Sequence, residues 1–150
     1  MIVSGEASGD RHAAKLVTAL REIDPPSEFF GAAGRRMRDT GVEAVVRSDE
    51  LSIVGLMEIG RALPMFLRAY RDLISAANLR TPNVVILVDF PDFNLKLAKA
   101  LKKKGFRVVY YISPPHWAWP KYRISAVRKY VNLLIAILPF EKTWYAEHGA

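Results

Sequence analysis

The sequence predicts an α/β fold, an open parallel sheet with helices on both faces. Short apolar runs that suit buried strands alternate with longer segments whose apolar residues recur at helical spacing. The clearest run, Val84 to Val88, is wholly apolar, as expected of a parallel strand covered on both faces. The 150 residues suffice for one domain with a sizeable core but not comfortably for two. Together these observations favour a single Rossmann-like domain.

The predicted elements follow one another as strand and helix. Strands are expected at residues 1–3, 28–33, 42–46, 84–88, 107–112 and 133–138. Helices are expected at residues 10–22, 35–40, 54–77, 93–104, 121–130 and 140–148, with a break or kink near Pro64. Strands separated by helices of this length form βαβ units, which predicts a parallel sheet. Both ends of the chain look cut, and the first strand looks shortened.

Composition and charge exclude several classes of protein. The chain has no cysteine, which excludes disulfides and cysteine-ligated metals, and its three histidines lack a zinc-chelating spacing. The longest apolar stretch, Leu133 to Phe140, is far shorter than the roughly 20 residues of a membrane span. The N-terminus lacks the features of a secretory signal, so a cytoplasmic protein with peripheral membrane contact is expected. The net charge of +7 indicates an anionic partner: nucleic acid, a phospholipid surface or a phosphorylated ligand.

Polar segments are expected at the carboxyl ends of three strands, where doubly wound sheets bind ligands. The first segment, residues 4–10, places Gly5, Gly9, two serines and two carboxylates between a strand and a helix. Its amides can bind an anionic or hydroxyl-rich ligand, although the spacing is that of neither a Walker A loop nor Gly-x-Gly-x-x-Gly. Ser8 or Asp10 can instead cap the helix, whereas Glu6 has no structural reason to lie there.

The second segment contains Asp89, which directly follows the wholly apolar strand. A carboxylate at this position is half desolvated, which raises its pKa and makes it a candidate general base. From position alone, a helix cap or a loop hydrogen bond explains Asp89 equally well. Asp92 is expected to cap the following helix, with Pro91 setting the start of that helix.

The third segment, residues 113–119, is a proline-rich loop with two tryptophans. A rigid aromatic loop at a sheet edge can form a platform for a sugar or an acyl group, and core packing of either tryptophan is the alternative. His116 is an acid–base candidate by residue type alone, and a buried, hydrogen-bonded histidine is the favoured interpretation.

Residues 51–73 carry too many large apolar side chains for one helical face, together with three arginines. Core packing is one interpretation. Insertion into an anionic membrane interface, or an acyl-chain groove, is the other. The side chains expected to make such contacts are Ile53, Val54, Leu56, Met57, Ile59, Leu63, Met65, Phe66 and Leu67.

Six motifs, which together cover the whole chain, resemble the lipid-A-disaccharide synthase family. They are Ser-Gly-Glu-Ala-Ser-Gly-Asp, Gly-Ala-Ala-Gly-x-x-Met, Glu-Leu-x-x-x-Gly-x-x-Glu, Val-Asp-Phe-Pro-Asp-Phe-Asn, Ser-Pro-x-x-Trp-Ala-Trp and Leu-Pro-Phe-Glu. The resemblance implies an inverting, metal-independent transferase of the two-domain GT-B type. It would condense UDP-2,3-diacylglucosamine with 2,3-diacylglucosamine 1-phosphate (lipid X) to give the β-1,6-linked lipid A disaccharide phosphate and UDP. The chain departs from the family pattern at Pro115, His116 and Pro120, which puts the local loop shape and a phosphate contact in question.

The resemblance also implies roles for parts of the chain. Residues 1–150 would form the N-terminal, acceptor-binding domain, inactive without a C-terminal domain that holds the UDP-sugar. Asp89 would take the proton of the acceptor 6-hydroxyl. The implied substrate-binding residues are Gly5, Glu6, Ser8, Gly9, Asp10, Asn94, Ser113, Trp117, Trp119 and Arg123.

The implied location is the cytoplasmic face of the inner membrane, with residues 51–73 towards the anionic lipid surface and no cofactor. Two alternatives remain: another GT-B transferase, or a non-catalytic module that binds anionic lipid. Nucleic acid is not expected as a partner, because the basic residues form no obvious stripe.

Overall fold

The computed structural model describes residues 1–49, 59–113 and 121–147. Within these ranges the strands are β1 (Ile2–Ser4), β2 (Phe30–Ala33), β3 (Glu43–Arg47), β4 (Val85–Val88), β5 (Val108–Tyr111) and β6 (Leu133–Ile135). The helices are α1 (Ala7–Ile23), α2 (Arg35–Asp39), α3 (Ile59–Arg80), α4 (Pro91–Lys103), α5 (Lys121–Tyr130) and α6 (Pro139–Glu147). The predicted alternation of strands and helices is confirmed.

The strands of the described ranges form one parallel sheet in the order β3-β2-β1-β4-β5-β6. Ile2 of β1 lies opposite Gly31 of β2 on one side and opposite Ile86 of β4 on the other. The chain therefore builds the sheet outward from β1 in one direction and then returns to build it in the other. Ligands of such sheets bind outside the carboxyl ends of the strands at this reversal, here between β1 and β4. The predicted Rossmann-like α/β class is confirmed.

Helices cover both faces of the sheet, and alternate residues of each central strand enter two separate cores. Val3, Leu87 and Tyr110 belong to the core beneath α3, α4 and α5. Ile2 and Ile86 belong to the core beneath α1 and α2. Full burial of an aliphatic side chain of this size contributes roughly 1.5–3 kcal/mol. The packing on both faces thus fixes the strand ends from which the polar loops emerge.

Two helices begin earlier than predicted, and both differences shorten the polar loops. Helix α1 begins at Ala7 rather than residue 10, and Glu6 is its N-cap without a side-chain capping bond. Helix α4 begins at Pro91 rather than residue 93, so Asp92 lies in the first turn and does not cap it. The predictions assumed side-chain capping, and neither helix uses it. Pro91 does set the start of α4, as expected.

Helix α3 continues through Pro64, so the predicted break is wrong, while the alternative of a kink at Pro64 stays a prediction. Among the described residues, no helix combines the length and the apolar composition that crossing a membrane requires.

Candidate active site

The loop between β1 and α1 consists of only Gly5 and Glu6. A Cβ atom on Gly5 would lie 2.2 Å from Cδ1 of Phe90, so the close approach of the Phe90 ring requires glycine. Gly9, in the first turn of α1, makes room for Ser4, whose Oγ would lie 2.7 Å from an added Cβ. The two glycines therefore let β1, α1 and the loop after β4 meet closely.

Asp10 is buried and holds the start of a different helix from its own. Its Oδ2 accepts a hydrogen bond from the Arg36 backbone N–H at 2.9 Å, and its Oδ1 accepts one from the Met37 N–H at 3.2 Å. These N–H groups of α2 have no partner within their helix. The interpretation that Asp10 or Ser8 caps α1 is therefore wrong. Ser8 is exposed in the first turn of α1, and ligand contacts for both residues stay predictions.

The segment after β4 has a left-handed backbone at two successive non-glycine residues. The φ angle is +51° at Asp89 and at Phe90. The Asp89 N–H still donates to the Tyr111 carbonyl at 3.1 Å, which continues the pairing of β4 with β5. The Asp89 carbonyl oxygen accepts two side-chain hydrogen bonds, from Asn94 Nδ2 and from the Tyr110 hydroxyl, both at 2.7 Å.

The two donors to Asp89 are themselves fixed by burial, and neither side chain has any exposed surface. Asn94 Nδ2 also donates to the Val88 carbonyl at 3.2 Å. Burial raises the pKa of the Tyr110 phenol well above its usual value, and the charge of Asp89 adds to the rise. Tyr110 is therefore a protonated donor at any physiological pH. Sequence reasoning missed Tyr110, whose only signal was a polar-tipped aromatic residue within a buried strand.

Glu6 and Asp89 bring two carboxylates to the crevice between β1 and β4. Burial raises the pKa of Asp89, while a hydrogen bond from the Phe90 N–H and the nearby His12 oppose the rise. Burial also raises the pKa of Glu6, and the charge of Asp89 adds to the rise. A half-buried carboxylate of raised pKa can accept a proton from a substrate hydroxyl group.

A second buried polar cluster lies at the carboxyl ends of β5 and β6. It contains Ser113, which follows β5, and Glu141 and Tyr145 of α6. Burial raises the pKa of the Tyr145 phenol, the neighbouring Glu141 adds to the rise, and the nearby Ser113 opposes it. Glu141 also accepts a hydrogen bond from the Leu138 backbone N–H at 3.2 Å. The Glu141 carboxylate thereby caps the start of α6, next to the predicted site residue Ser113.

A groove of about 870 Å³ lies between α3 and α4 and begins at Phe90, next to Asp89. We call it the α3–α4 groove. The Phe66 ring lies 6.0 Å from Phe90 and 6.2 Å from Phe93, within the range of favourable aromatic pairs. The remaining lining residues are Leu63, Leu67, Tyr70, Asp92, Ala100 and three lysines of α4, which are Lys96, Lys99 and Lys103. The groove is thus apolar along its floor and basic on its α4 side.

The structure brings only some of the residues predicted to contact substrate, membrane or acyl chains to the α3–α4 groove. Leu63, Phe66 and Leu67 line the α3–α4 groove, whereas Met65 does not. Arg123 of α5 forms an ion pair with Asp92 at 2.6 Å, at one end of the groove. The other predictions fall outside the described residues or concern a side chain that is not described, namely Trp117, Trp119, Ile53, Val54, Leu56, Met57 and Ile59. In the described ranges no three His, Cys, Asp or Glu side chains are grouped to hold a metal ion.

The whole chain, residues 1–150, matches the family model of lipid-A-disaccharide synthetase. It is 46% identical over 149 residues to the lipid-A-disaccharide synthase of Myxococcus xanthus, an alignment covering 99% of this chain and 39% of that relative. The enzyme of Koribacter versatilis is 44% identical over 150 residues with the same coverage. The enzyme of Acidobacterium capsulatum is 42% identical over 146 residues, which are 97% of this chain and 36% of that relative. The chain thus spans about two fifths of the length of these curated relatives.

Proposed function

The chain belongs to the lipid-A-disaccharide synthase family, and from this premise we propose that it is the acceptor-binding domain of a GT-B glycosyltransferase of lipid A biosynthesis. The proposed substrates are UDP-2,3-diacylglucosamine and 2,3-diacylglucosamine 1-phosphate. The observation that carries the proposal is the half-buried Asp89 carboxylate at the reversal of the sheet, beside an apolar groove.

In the proposed reaction the acceptor 6-hydroxyl oxygen attacks the anomeric carbon of the donor sugar. Its proton passes to Asp89, and the bond from the anomeric carbon to the UDP oxygen breaks with its electron pair on UDP. A single displacement of this kind inverts the configuration of the anomeric carbon. Burial supports the role of Asp89 because it raises the pKa and makes the carboxylate a stronger base. Glu6, across the crevice, is suited to accept hydrogen bonds from sugar hydroxyl groups.

We infer that a second domain supplies the UDP-sugar site. The relatives are much longer than this chain, which supports the inference. The 150 residues alone are accordingly expected to form no disaccharide. Detectable product from the isolated chain would contradict this part of the proposal.

The test of the proposal is disaccharide formation from the two proposed substrates by the full-length protein and by its Asp89→Asn variant. Removal of a general base lowers the rate by about 10²–10⁴-fold, so we expect kcat to fall at least about a hundredfold. Asp39→Asn is the matched control, because Asp39 is an exposed carboxylate on α2; its kcat should stay within about twofold. Full activity of Asp89→Asn would remove Asp89 from the chemistry, and inactivity of the folded wild type would refute the substrate assignment.

The α3–α4 groove favours a second candidate function, the binding of an anionic lipid without catalysis. Its floor is apolar and leads to Phe90, and its three lysines lie on one side of α4. At 1.5 Å rise per residue, Lys96 and Lys103 are separated by about 10 Å along the helix. Charges spread over that length suit the surface of an anionic membrane, while the apolar floor suits an acyl chain.

Binding to vesicles tests the groove independently of catalysis. The variant Lys96→Ala/Lys99→Ala/Lys103→Ala is compared with Lys15→Ala/Lys102→Ala/Lys104→Ala, which removes the same charge outside the groove. Each lysine near an anionic surface contributes about 1 kcal/mol, so only the first variant should bind phosphatidylglycerol vesicles on the order of a hundredfold more weakly. Equal losses of vesicle binding in the two variants would mean that the net charge of the protein, and not the groove, governs binding. Strong vesicle binding by a full-length protein that forms no disaccharide would favour this second function.

A further inference from the structure

We propose that Tyr110 and Asn94 are positioning residues for Asp89. Their side chains hold the Asp89 carbonyl oxygen and thereby keep the Asp89 carboxylate in the crevice between β1 and β4. The inference rests on the proposed function in one respect, because it takes Asp89 to be the group that accepts the proton.

The two donors reach one oxygen atom from two different elements. The Tyr110 hydroxyl comes from β5 and Asn94 Nδ2 comes from the first turns of α4, each at 2.7 Å from the Asp89 oxygen. A carbonyl oxygen has two lone pairs, and the two donors can occupy both. The peptide plane that follows Asp89 is therefore fixed on both sides, while the Asp89 N–H is fixed by β5.

This double contact explains how a costly backbone conformation persists. Asp89 and Phe90 both have φ of +51°, a left-handed conformation that is unfavourable for a non-glycine residue. The two hydrogen bonds to the Asp89 carbonyl stabilise this conformation, and a buried donor that loses its acceptor is destabilising. The loss of one bond therefore favours relaxation of the segment.

Core packing alone does not account for a tyrosine at position 110. Its side chain is fully buried on the same face of β5 as Val108, where a phenylalanine would fill nearly the same volume. A buried hydroxyl group is destabilising unless it has a hydrogen-bond partner. The Asp89 carbonyl oxygen accepts such a bond from the Tyr110 hydroxyl. The bond ties β5 to the segment that carries the proposed base.

Tyr110→Phe in the full-length protein is the test, because it removes one hydroxyl and preserves the core. We expect kcat for disaccharide formation to fall on the order of tenfold, with KM unchanged within about twofold, because a displaced base slows proton transfer rather than binding. Relaxation would also hydrate Asp89 and lower its pKa towards the usual value. The acid limb of the kcat profile should then move to lower pH.

Tyr111→Phe is the matched control, since Tyr111 is the next residue of β5 and packs on the opposite face of the sheet. It should change neither kcat nor the pH profile. An unchanged kcat and pH profile in Tyr110→Phe, with Asp89→Asn inactive, would overturn the positioning role and leave the proposed function intact.

A second measurement separates the two hypotheses if no variant forms disaccharide. The titration of the Asp89 carboxyl carbon by NMR, in wild type and Tyr110→Phe, needs no substrate. A titration midpoint that is lower in Tyr110→Phe than in wild type would support the positioning of Asp89 by Tyr110, even if the proposed substrates were wrong. Equal midpoints would overturn the positioning role on their own.

Discussion

The loops after β1 and β4 deliver carboxylates to the same crevice but hold them in different ways. After β1, Gly5 makes room for the Phe90 ring, and the exposed Glu6 leads directly into α1. The Glu6 carbonyl accepts hydrogen bonds from the Asp10 N–H at 2.8 Å and from Ser4 Oγ at 3.3 Å. After β4, two non-glycine residues adopt a left-handed conformation, and two buried side chains bind the Asp89 carbonyl. The Glu6 backbone is thus held from within its own β1–α1 segment, whereas the Asp89 backbone is also held by Tyr110 of the neighbouring strand β5.

This difference bears on which carboxylate does the chemistry. A group that accepts a proton in a transition state must be held within a fraction of an ångström of its productive position. The Asp89 backbone is bound by Tyr110, Asn94 and the pairing with β5, which favours a fixed position for its side chain. Glu6 is exposed and carries no side-chain capping bond, so it suits a contact that adapts to the ligand.

The largest effect that separates the two loops concerns activity. Asp89→Asn is expected to lose at least about a hundredfold in kcat, because it removes the proposed general base. Glu6→Gln keeps the size and the hydrogen-bonding capacity of the side chain, so it should lose no more than about tenfold, mostly through KM. Steady-state kinetics of the two full-length variants measure both quantities. A loss in Glu6→Gln that equals or exceeds that of Asp89→Asn would reverse the assignment of the two carboxylates.

The smallest effect concerns stability and its dependence on pH. Burial raises the pKa of Asp89 above 3.8, so the group stabilises the fold below that pH and loses this contribution as pH rises through the folded pKa. Asp89→Asn cannot ionise, so its free energy of unfolding relative to wild type should increase from about pH 4 to pH 7. Glu6→Gln should change in the same direction but less, because Glu6 is more exposed.

Urea unfolding of the two variants and wild type at pH 4 and pH 7 measures this effect. The surface variant Asp39→Asn serves as the control, with an expected change below about 0.5 kcal/mol at both pH values. A pH-independent difference for Asp89→Asn would mean that its carboxylate is as well solvated in the folded protein as in the unfolded chain.

Several features of the site could be predicted because they depend on local sequence. The wholly apolar run of β4 predicts a strand buried on both faces, and such a strand carries the next residue, Asp89, to the edge of the sheet. Gly5 and Gly9 also stand out in the sequence, and the structure shows that they make room for Phe90 and Ser4, whereas ligand contacts of the two glycines stay predictions. The helix starts were less predictable. Capping rules place a helix start after a residue whose side chain caps it, and the N-cap residues of α1 and α4 make no such bond.

The sequence by itself determined which segments are strands and helices, and that the carboxylates lie at strand ends, since hydrophobic periodicity and chain breaks are local properties. Only the tertiary structure decided that β1 lies beside β4, so that Glu6 and Asp89 face one crevice. It also decided that Asp10 caps α2 and that Tyr110 holds Asp89. These partners are distant in the chain, and they meet because the helices must cover both apolar faces of the sheet at once.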